Sequence, residues 1–367
     1  MKKIIILSLI SMFYIGCEKK SEKRTQEEPL NIIFMIGDGM GLAQISTAFY
    51  FGKETPNFEQ FKNIGFIKTP STSHTITDSA AGATAFSTGE KTYKRAIGMS
   101  KDSLPLPTIL ETLQKEDYQT GFVTLTPITH ATPASFYAHV KDRDLHEEIA
   151  LDLVKSNVDF FVGGGLKYLK RRTDKKDLYT ELIAKNYQLD SVSLSKFDIN
   201  KKNGYIIAEE GLPSKTEGRK SFLQDATQLG LDYFTKKGKP FFFMIEGSYI
   251  DWGGHAMDAE LLKQEVLDFD KTIGVVLRYI KEHPNTLLVV TADHETGGVS
   301  IGKSYMIDEE TGEKSEEVDN VSINFNNDQH SGTLIPVFAK GKGSENFQGI
   351  YENNEIYHKM FKAINNK

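Results

Sequence analysis

Six short apolar runs divide the chain: Asn31 to Ile36, Gly121 to Leu125, Val158 to Val162, Pro240 to Ile245, Thr286 to Val290 and Leu334 to Ala339. They are rich in Ile, Val and Phe and do not alternate apolar with polar positions, a pattern that predicts strands covered on both faces. Helix-like segments lie between them, among them Pro107 to Lys115 and Ala259 to Glu282. Apolar strands spaced by helices predict a mostly parallel sheet between two helical layers, a three-layer α/β/α sandwich. From Lys303 to Asn327 the chain is instead heavy in Asp, Glu, Asn and Gly, which reads as a small solvated insertion. No internal repeat is visible.

The N-terminus departs from this pattern. Lys2 and Lys3 precede an apolar run from Ile4 to Ile15, followed by Gly16-Cys17 and an abruptly charged stretch. That run is too short to span a bilayer and has the order of an export signal. Cys17 is the one cysteine of the chain, and its place after a small residue at the end of such a run resembles a bacterial lipobox, with Tyr14 where such boxes usually carry Leu. The expected organisation is therefore a lipoprotein-type signal peptide over 1–16, a disordered polar tether over 17–29 with Cys17 as lipid anchor, and one domain over 30–367. Plain signal-peptidase cleavage is the simpler alternative. Either way the protein is expected to be exported, to the periplasm or to the cell surface, and a chain with one cysteine has no internal disulfide.

Composition narrows the partners. With 39% hydrophobic and 26% charged residues over 367 positions, the chain is an ordinary globular protein with a large core. Its net charge of −6 and the lack of a dense basic stripe argue against a nucleic-acid partner.

The chemistry gathers where the strands end. Asn31 to Ile36 runs into Gly-Asp38-Gly; Gly121 to Leu125 into Thr-Pro-Ile-Thr-His130-Ala-Thr132; Pro240 to Ile245 into Glu246-Gly-Ser-Tyr-Ile-Asp251-Trp-Gly-Gly-His255; Thr286 to Val290 into Thr-Ala-Asp293-His294. In an open α/β sheet the ligand crevice lies at the carboxyl ends of the strands, so these groups should converge. Singly each is weak: Asp38 suits a turn, and Asp251 with His255 suits a surface pair. Jointly they suggest metal sites, with Zn²⁺ favoured where imidazole joins carboxylate and Mg²⁺ where the ligands are all oxygen. A second feature is the stretch from Asp78-Ser79 through Ala80-Ala81-Gly82-Ala83. A helix of such small residues gives up side-chain burial and gains close approach to another backbone or to a ligand.

The series Ile-Gly-Asp38-Gly-Met-Gly, Thr-Asp-Ser79-Ala-Ala, His130-Ala-Thr132-Pro-Ala, Glu246-Gly-Ser-Tyr-Ile-Asp251-Trp-Gly-Gly-His255, Thr-Ala-Asp293-His294-Glu-Thr-Gly-Gly and His330-Ser-Gly resembles the alkaline phosphatase family, in order, from Asn31 to Gly341. The resemblance implies two zinc ions and one magnesium ion. Asp251, His255 and His330 would hold one zinc, Asp38, Asp293 and His294 the other, and Asp38, Thr132 and Glu246 the magnesium. It further implies that Ser79 is the nucleophile of a phosphomonoesterase acting through a phosphoserine, that Arg143 clamps the phosphate, and that Asp78 caps the helix or orients its neighbours. Without the resemblance, Arg143 in Lys141-Asp-Arg-Asp144 would read as a surface residue.

The sequence departs from parts of the family pattern. His130 stands where much-studied bacterial members carry aspartate and animal members histidine, and Trp252 where some bacterial members have lysine; both are expected behind the metals and phosphate, with the His130 imidazole also able to ligate a softer ion itself. Segment 303–327 is short beside the insertions of dimeric animal members, which leaves monomer and homodimer both open. The rival readings are a phosphodiesterase or sulfatase of the same superfamily, and a lipoprotein that binds zinc or phosphate without turnover. The expected substrates are small phosphate monoesters, with the membrane met only through the anchor.

Overall fold

The computed structural model describes residues 29–365. Cys17 and the proposed signal peptide lie outside them, as does most of the proposed tether. The strands are β1 (Asn31–Gly37), β2 (Asn63–Lys68), β3 (Gln119–Pro127), β4 (Phe160–Gly164), β5 (Tyr187–Asp190), β6 (Lys202–Ile206), β7 (Phe241–Gly247), β8 (Thr286–Thr291), β9 (Glu295–Thr296), β10 (Ser300–Ile307), β11 (Lys314–Asn324), β12 (His330–Ser331), β13 (Ile335–Gly341) and β14 (Gly349–Glu352). The helices are α1 (Leu42–Phe51), α2 (Ser79–Thr88), α3 (Ile109–Lys115), α4 (Ala131–Ala134), α5 (His146–Lys155), α6 (Leu166–Lys170), α7 (Leu178–Ala184), α8 (Phe222–Lys237), α9 (Tyr249–His255), α10 (Ala259–Glu282) and α11 (Glu355–Asn365).

Ten strands form one sheet in the order β14-β2-β13-β8-β1-β7-β3-β4-β6-β5. Every pairing within it is parallel except those of β13, which runs against β2 and β8. The helices cover both faces, so the sandwich expected from the apolar runs is the observed architecture. All six runs are strands. The central ones, β1, β3, β7 and β8, are buried almost without interruption, which is why they carry no alternation. Aromatic rings fill the layer beneath α2, where Phe34 meets Phe86 edge-on with centroids 5.4 Å apart.

Local signals set the helix ends. Thr108 and Glu111 form a reciprocal capping box at the start of α3, and Asp258 accepts from the Glu260 and Leu261 amides at the start of α10. The sequence pattern missed β2, β5, β6 and β14, which lie in the outer parts of the sheet and mix polar residues into short strands. The solvated segment 303–327 overlaps an antiparallel hairpin, β10 with β11, and runs three residues past its end; most of the hairpin's side chains are exposed.

Candidate active site

The central parallel strands deliver their following residues to one edge. Asp38 follows β1, Glu246 lies near the end of β7, and Asp293 and His294 follow β8. Gly39 turns with φ +72°, where a Cβ would come within 2.6 Å of the Asp251 Cα; the backbone at this corner is packed too closely for a side chain. Residues distant in sequence thereby form three clusters, in each of which the ligand atoms all lie within 4.8 Å of one another: Asp251, His255 and His330; Asp38, Asp293 and His294; and Asp38, Glu246 and His130.

In the first cluster His255 Nε2 lies 3.1 Å from His330 Nε2 and 3.4 Å from Asp251 Oδ2. The opposite ring nitrogens face backbone carbonyls, His255 Nδ1 that of Asp328 at 2.6 Å and His330 Nδ1 that of Thr77 at 2.9 Å. Nδ1–H donation to those carbonyls leaves both Nε2 atoms as free acceptors turned inward, the arrangement a metal-binding imidazole needs. In the second cluster His294 Nε2 is 3.5 Å from Asp38 Oδ1 and 3.4 Å from Asp293 Oδ2. The His294 and His330 rings stack at 3.6 Å, so the two clusters share a wall. Thr296 joins them too: its hydroxyl donates to Asp251 Oδ1 at 2.5 Å and lies 3.2 Å from His294 Nδ1. Thr296 was not singled out in the sequence, although it lies inside the Asp293-His294-Glu-Thr motif.

The third cluster contains His130, expected behind the metal or as ligand to a softer ion, at ligand distance of Asp38 and Glu246. Thr132 is fully buried there and its Oγ1 has no hydrogen-bond partner among the described residues. The Glu246 carboxylate is backed by Thr124, whose hydroxyl donates to Oε2, while Oε1 is left without a partner. Asp293 Oδ2 and His130 Nδ1 are likewise buried and have no hydrogen-bond partner among the described residues, although Oδ2 lies 3.4 Å from His294 Nε2. Four orphaned polar atoms at one edge of a sheet would be a heavy cost unless a ligand satisfies them.

The electrostatics point the same way. Burial raises the Asp38 carboxyl well above the ordinary aspartate range, and Asp293, Asp251 and Glu246 around it raise it further. Burial pushes Glu246 up to about 7 and raises Asp293, while it drives His130 and His294 well below the usual imidazole value. Crowded acids that resist ionisation and imidazoles that resist protonation form a donor set that bound cations would satisfy.

Ser79 is the first residue of α2 and is 3% exposed, its Oγ 3.4 Å from Asp38 Oδ1 and 3.3 Å from His294 Nε2. Asp78 caps the helix by accepting from the Ala81 amide at 3.2 Å. Its other oxygen lies 3.4 Å from Arg143 Nη1, and Arg143 Nη2 is 3.3 Å from His130 Nε2. Arg143 thus turns inward to Asp78 and His130, whereas its neighbours Asp142 and Asp144 pair with Arg95 on the surface. The fork would have been invisible in a list of surface charges. Trp252 is 44% exposed and rests on the Tyr249 ring, 4.3 Å between centroids.

The sequence model of the alkaline phosphatase family matches residues 30–329 and 308–366. The chain belongs to that family. Alkaline phosphatase 3 of Bacillus subtilis (strain 168) is 31% identical over 94% of this chain and 91% of that protein. Among solved structures, the alkaline phosphatase of the Antarctic bacterium TAB5 is similar at 47% identity, covering 92% of this chain and 98% of that one with a TM-score of 0.88. A TAB5 variant in which a histidine is replaced by glutamate, with Mg bound in its M3 site, matches at 48% identity over the same shares with a TM-score of 0.89. The alkaline phosphatase of a psychrophilic Shewanella species follows at 30% identity, 91% of this chain, 100% of that one and a TM-score of 0.80.

Proposed function

We propose that this alkaline phosphatase hydrolyses small phosphate monoesters by passing the phosphoryl group through Ser79. The observation that carries the reading is the placement of the Ser79 hydroxyl, at a helix start and beside both Asp38 and His294.

Zinc and magnesium are the cofactors. Asp251, His255 and His330 would hold one zinc, Asp38, Asp293 and His294 the second, and Asp38, Thr132 and Glu246 the magnesium, with His130 close enough to join that last group; the unpartnered Thr132, Glu246, Asp293 and His130 atoms fit such occupants. When bound, these ions supply Lewis-acid charge that eases deprotonation of a hydroxyl or water and neutralises phosphoryl oxygens. The chain's own groups do the rest. Ser79 Oγ bonds to phosphorus as the ester's alcohol departs in line, and a water then breaks the phosphoserine and frees inorganic phosphate. The N-terminal turn of α2 offers amide N–H groups and a positive dipole end to the dianion. Arg143 presents two N–H groups in one plane to two non-bridging oxygens, a match that a lysine could not make. Asp78 holds that fork in place from the residue before the nucleophile.

The proposal extends to location. Among the described residues no helix is long and apolar enough to cross a membrane, and we read residues 1–16 as a signal peptide and Cys17 as a lipid anchor that tethers an exported enzyme. A single domain over 30–367, as monomer or homodimer, completes the reading.

Metal removal tests it. Treatment with a chelator should abolish turnover of a phosphate monoester, and added zinc should restore it. Full activity in protein shown to be zinc-free would overturn the assignment, and faster hydrolysis of a diester or sulfate ester than of the monoester would favour the rival hydrolases.

A further inference from the structure

Arg95 is an arginine where the backbone favours glycine. Its φ is +74°, a left-handed conformation in which a Cβ is strained and a glycine is not. Strain of this kind at an exposed arginine points to a use for its side chain. The guanidinium meets two carboxylates at once. Nε donates to Asp142 Oδ2 at 2.9 Å and Nη2 to Asp142 Oδ1 at 2.8 Å, and Nη2 also donates to Asp144. Among the described residues no other side chain ion-pairs with either aspartate.

The residue between those aspartates is Arg143. The Leu145 amide donates to the Asp142 carbonyl at 3.1 Å and closes a turn, within which Asp142 Oδ1 accepts from the Asp144 amide at 2.9 Å. Arg143 and Asp144 are the middle residues of that turn, so a grip on Asp142 and Asp144 fixes the backbone from which the Arg143 side chain projects. Ile97 and Val140 exchange backbone hydrogen bonds at 2.9 and 3.0 Å, which ties the Arg95 segment to the chain just before the turn. The Arg95 amide donates to Asp78 Oδ2 at 3.1 Å, and the same oxygen lies 3.4 Å from Arg143 Nη1. The contacts close a ring: from the Arg95 side chain to the turn, from Arg143 to Asp78, and from Asp78 back to the Arg95 backbone.

A lone ion pair between exposed side chains contributes little, because water screens it and two long side chains must be held still. This one is planar and two-pronged, is shared with a second carboxylate, and is tied at its base to the residue that caps α2. We infer that Arg95 is a positioning residue for the phosphate clamp: it holds the turn on both sides of Arg143, so that the Arg143 fork is set before phosphate arrives. The inference rests on the reading of Arg143 as that clamp. Arg95 acts through the turn and not on phosphate, its own charge being matched by Asp142 and Asp144.

Inhibition by inorganic phosphate, measured beside the melting temperature, tests the role. Arg95→Gly should weaken inhibition by about fivefold, the effect of one hydrogen bond. Its melting temperature should stay within about 3 °C of the wild type, since relief of the left-handed strain offsets the exposed ion pairs given up. Arg95→Lys keeps the charge but cannot grip both oxygens of Asp142, and should fall between Arg95→Gly and the wild type. Arg143→Ala should weaken inhibition by about tenfold to 100-fold, and Arg95→Gly added to it should change the constant by less than about twofold, because the group being positioned is gone. Wild-type inhibition in Arg95→Gly, beside a weakened Arg143→Ala, would overturn the positioning role alone. A full fivefold effect of Arg95→Gly in the Arg143→Ala background would overturn it too. Wild-type inhibition in Arg143→Ala would overturn the clamp itself, and the positioning role with it.

Discussion

Gly82 lies directly against Asp293: a Cβ built on the glycine would stand 2.9 Å from the Asp293 Cβ. The small-residue helix that begins at Ser79 is thus seated on an acidic residue of the second cluster, and its lack of side chains sets how near the nucleophile comes to Asp38 and His294. Gly82→Ala should push α2 outward by a few tenths of an ångström or more. Turnover should fall by about 10- to 100-fold, since small misplacements of reacting groups are costly, and overpacking should destabilise the fold by about 1–3 kcal/mol. The checks are kcat and thermal unfolding; wild-type kcat would show that the helix position is not critical.

Asp78 carries three duties, capping α2, holding Arg143 and accepting from the Arg95 amide, and only the second needs its charge. Asparagine caps as well as aspartate but cannot form the ion pair. Asp78→Asn should therefore leave stability within about 0.5 kcal/mol, and should weaken inhibition by inorganic phosphate about fivefold, the value of one hydrogen bond lost from the fork's support. Inhibition constants for phosphate, compared with melting temperatures, separate positioning from a purely structural role.

A pH-dependent contribution to stability sits away from the site. His139 Nε2 lies 3.0 Å from Glu111 Oε1, and His139 Nδ1 lies 2.9 Å from the Gly98 carbonyl. Burial opposes the imidazolium, yet these contacts hold the His139 pKa above 6.5; burial likewise opposes the Glu111 carboxylate, but His139 and Thr108 hold its pKa below 4.5. The His139 share of stability is full below 6.5 and is lost as pH rises through its raised value; the Glu111 share is full above 4.5 and is lost as pH falls through its lowered one. The pair therefore supports the fold most between about pH 4.5 and 6.5. His139→Gln should cost about 1 kcal/mol at pH 5.5, allowing for partial exposure, and clearly less at pH 9. Denaturant melts at the two pH values decide it; equal losses would mean that the histidine acts uncharged.

His130 concerns the third cluster. The imidazole adds no negative charge beside Asp38 and Glu246, so magnesium should bind weakly and zinc should compete for the place. His130→Asp should shift activation to lower magnesium by about tenfold. Turnover against magnesium at fixed low zinc, for both proteins, tests this, and superimposable curves would show that residue 130 does not tune the site.

What could be read in the sequence follows from what is local. The six buried runs declared the sheet because strands covered on both faces need unbroken apolar stretches, and the chemistry at their ends declared the catalytic edge. The strands β2, β5, β6 and β14 escaped because outer strands tolerate polar residues, as in Lys202-Asn-Gly-Tyr-Ile206. Thr296 escaped because its hydroxyl matters only through Asp251 and His294, which reach it from separate segments. Arg143 illustrates the limit most clearly. Its neighbours Asp142 and Asp144 are the surface groups that the local sequence suggests, while Arg143 itself turns inward to Asp78 and His130, contacts that only the folded chain supplies.

The central claim is that Ser79 accepts the phosphoryl group, and the most direct test is to look for it there. Enzyme turning over a phosphate-labelled monoester is quenched in acid, digested, and the labelled peptide identified by mass spectrometry. The account predicts one phosphate on Ser79, absent in Ser79→Ala, whose turnover falls by about four or more orders of magnitude while its melting temperature stays near that of the wild type. Product formation without any label on Ser79, or a Ser79→Ala protein that keeps wild-type turnover, would contradict it.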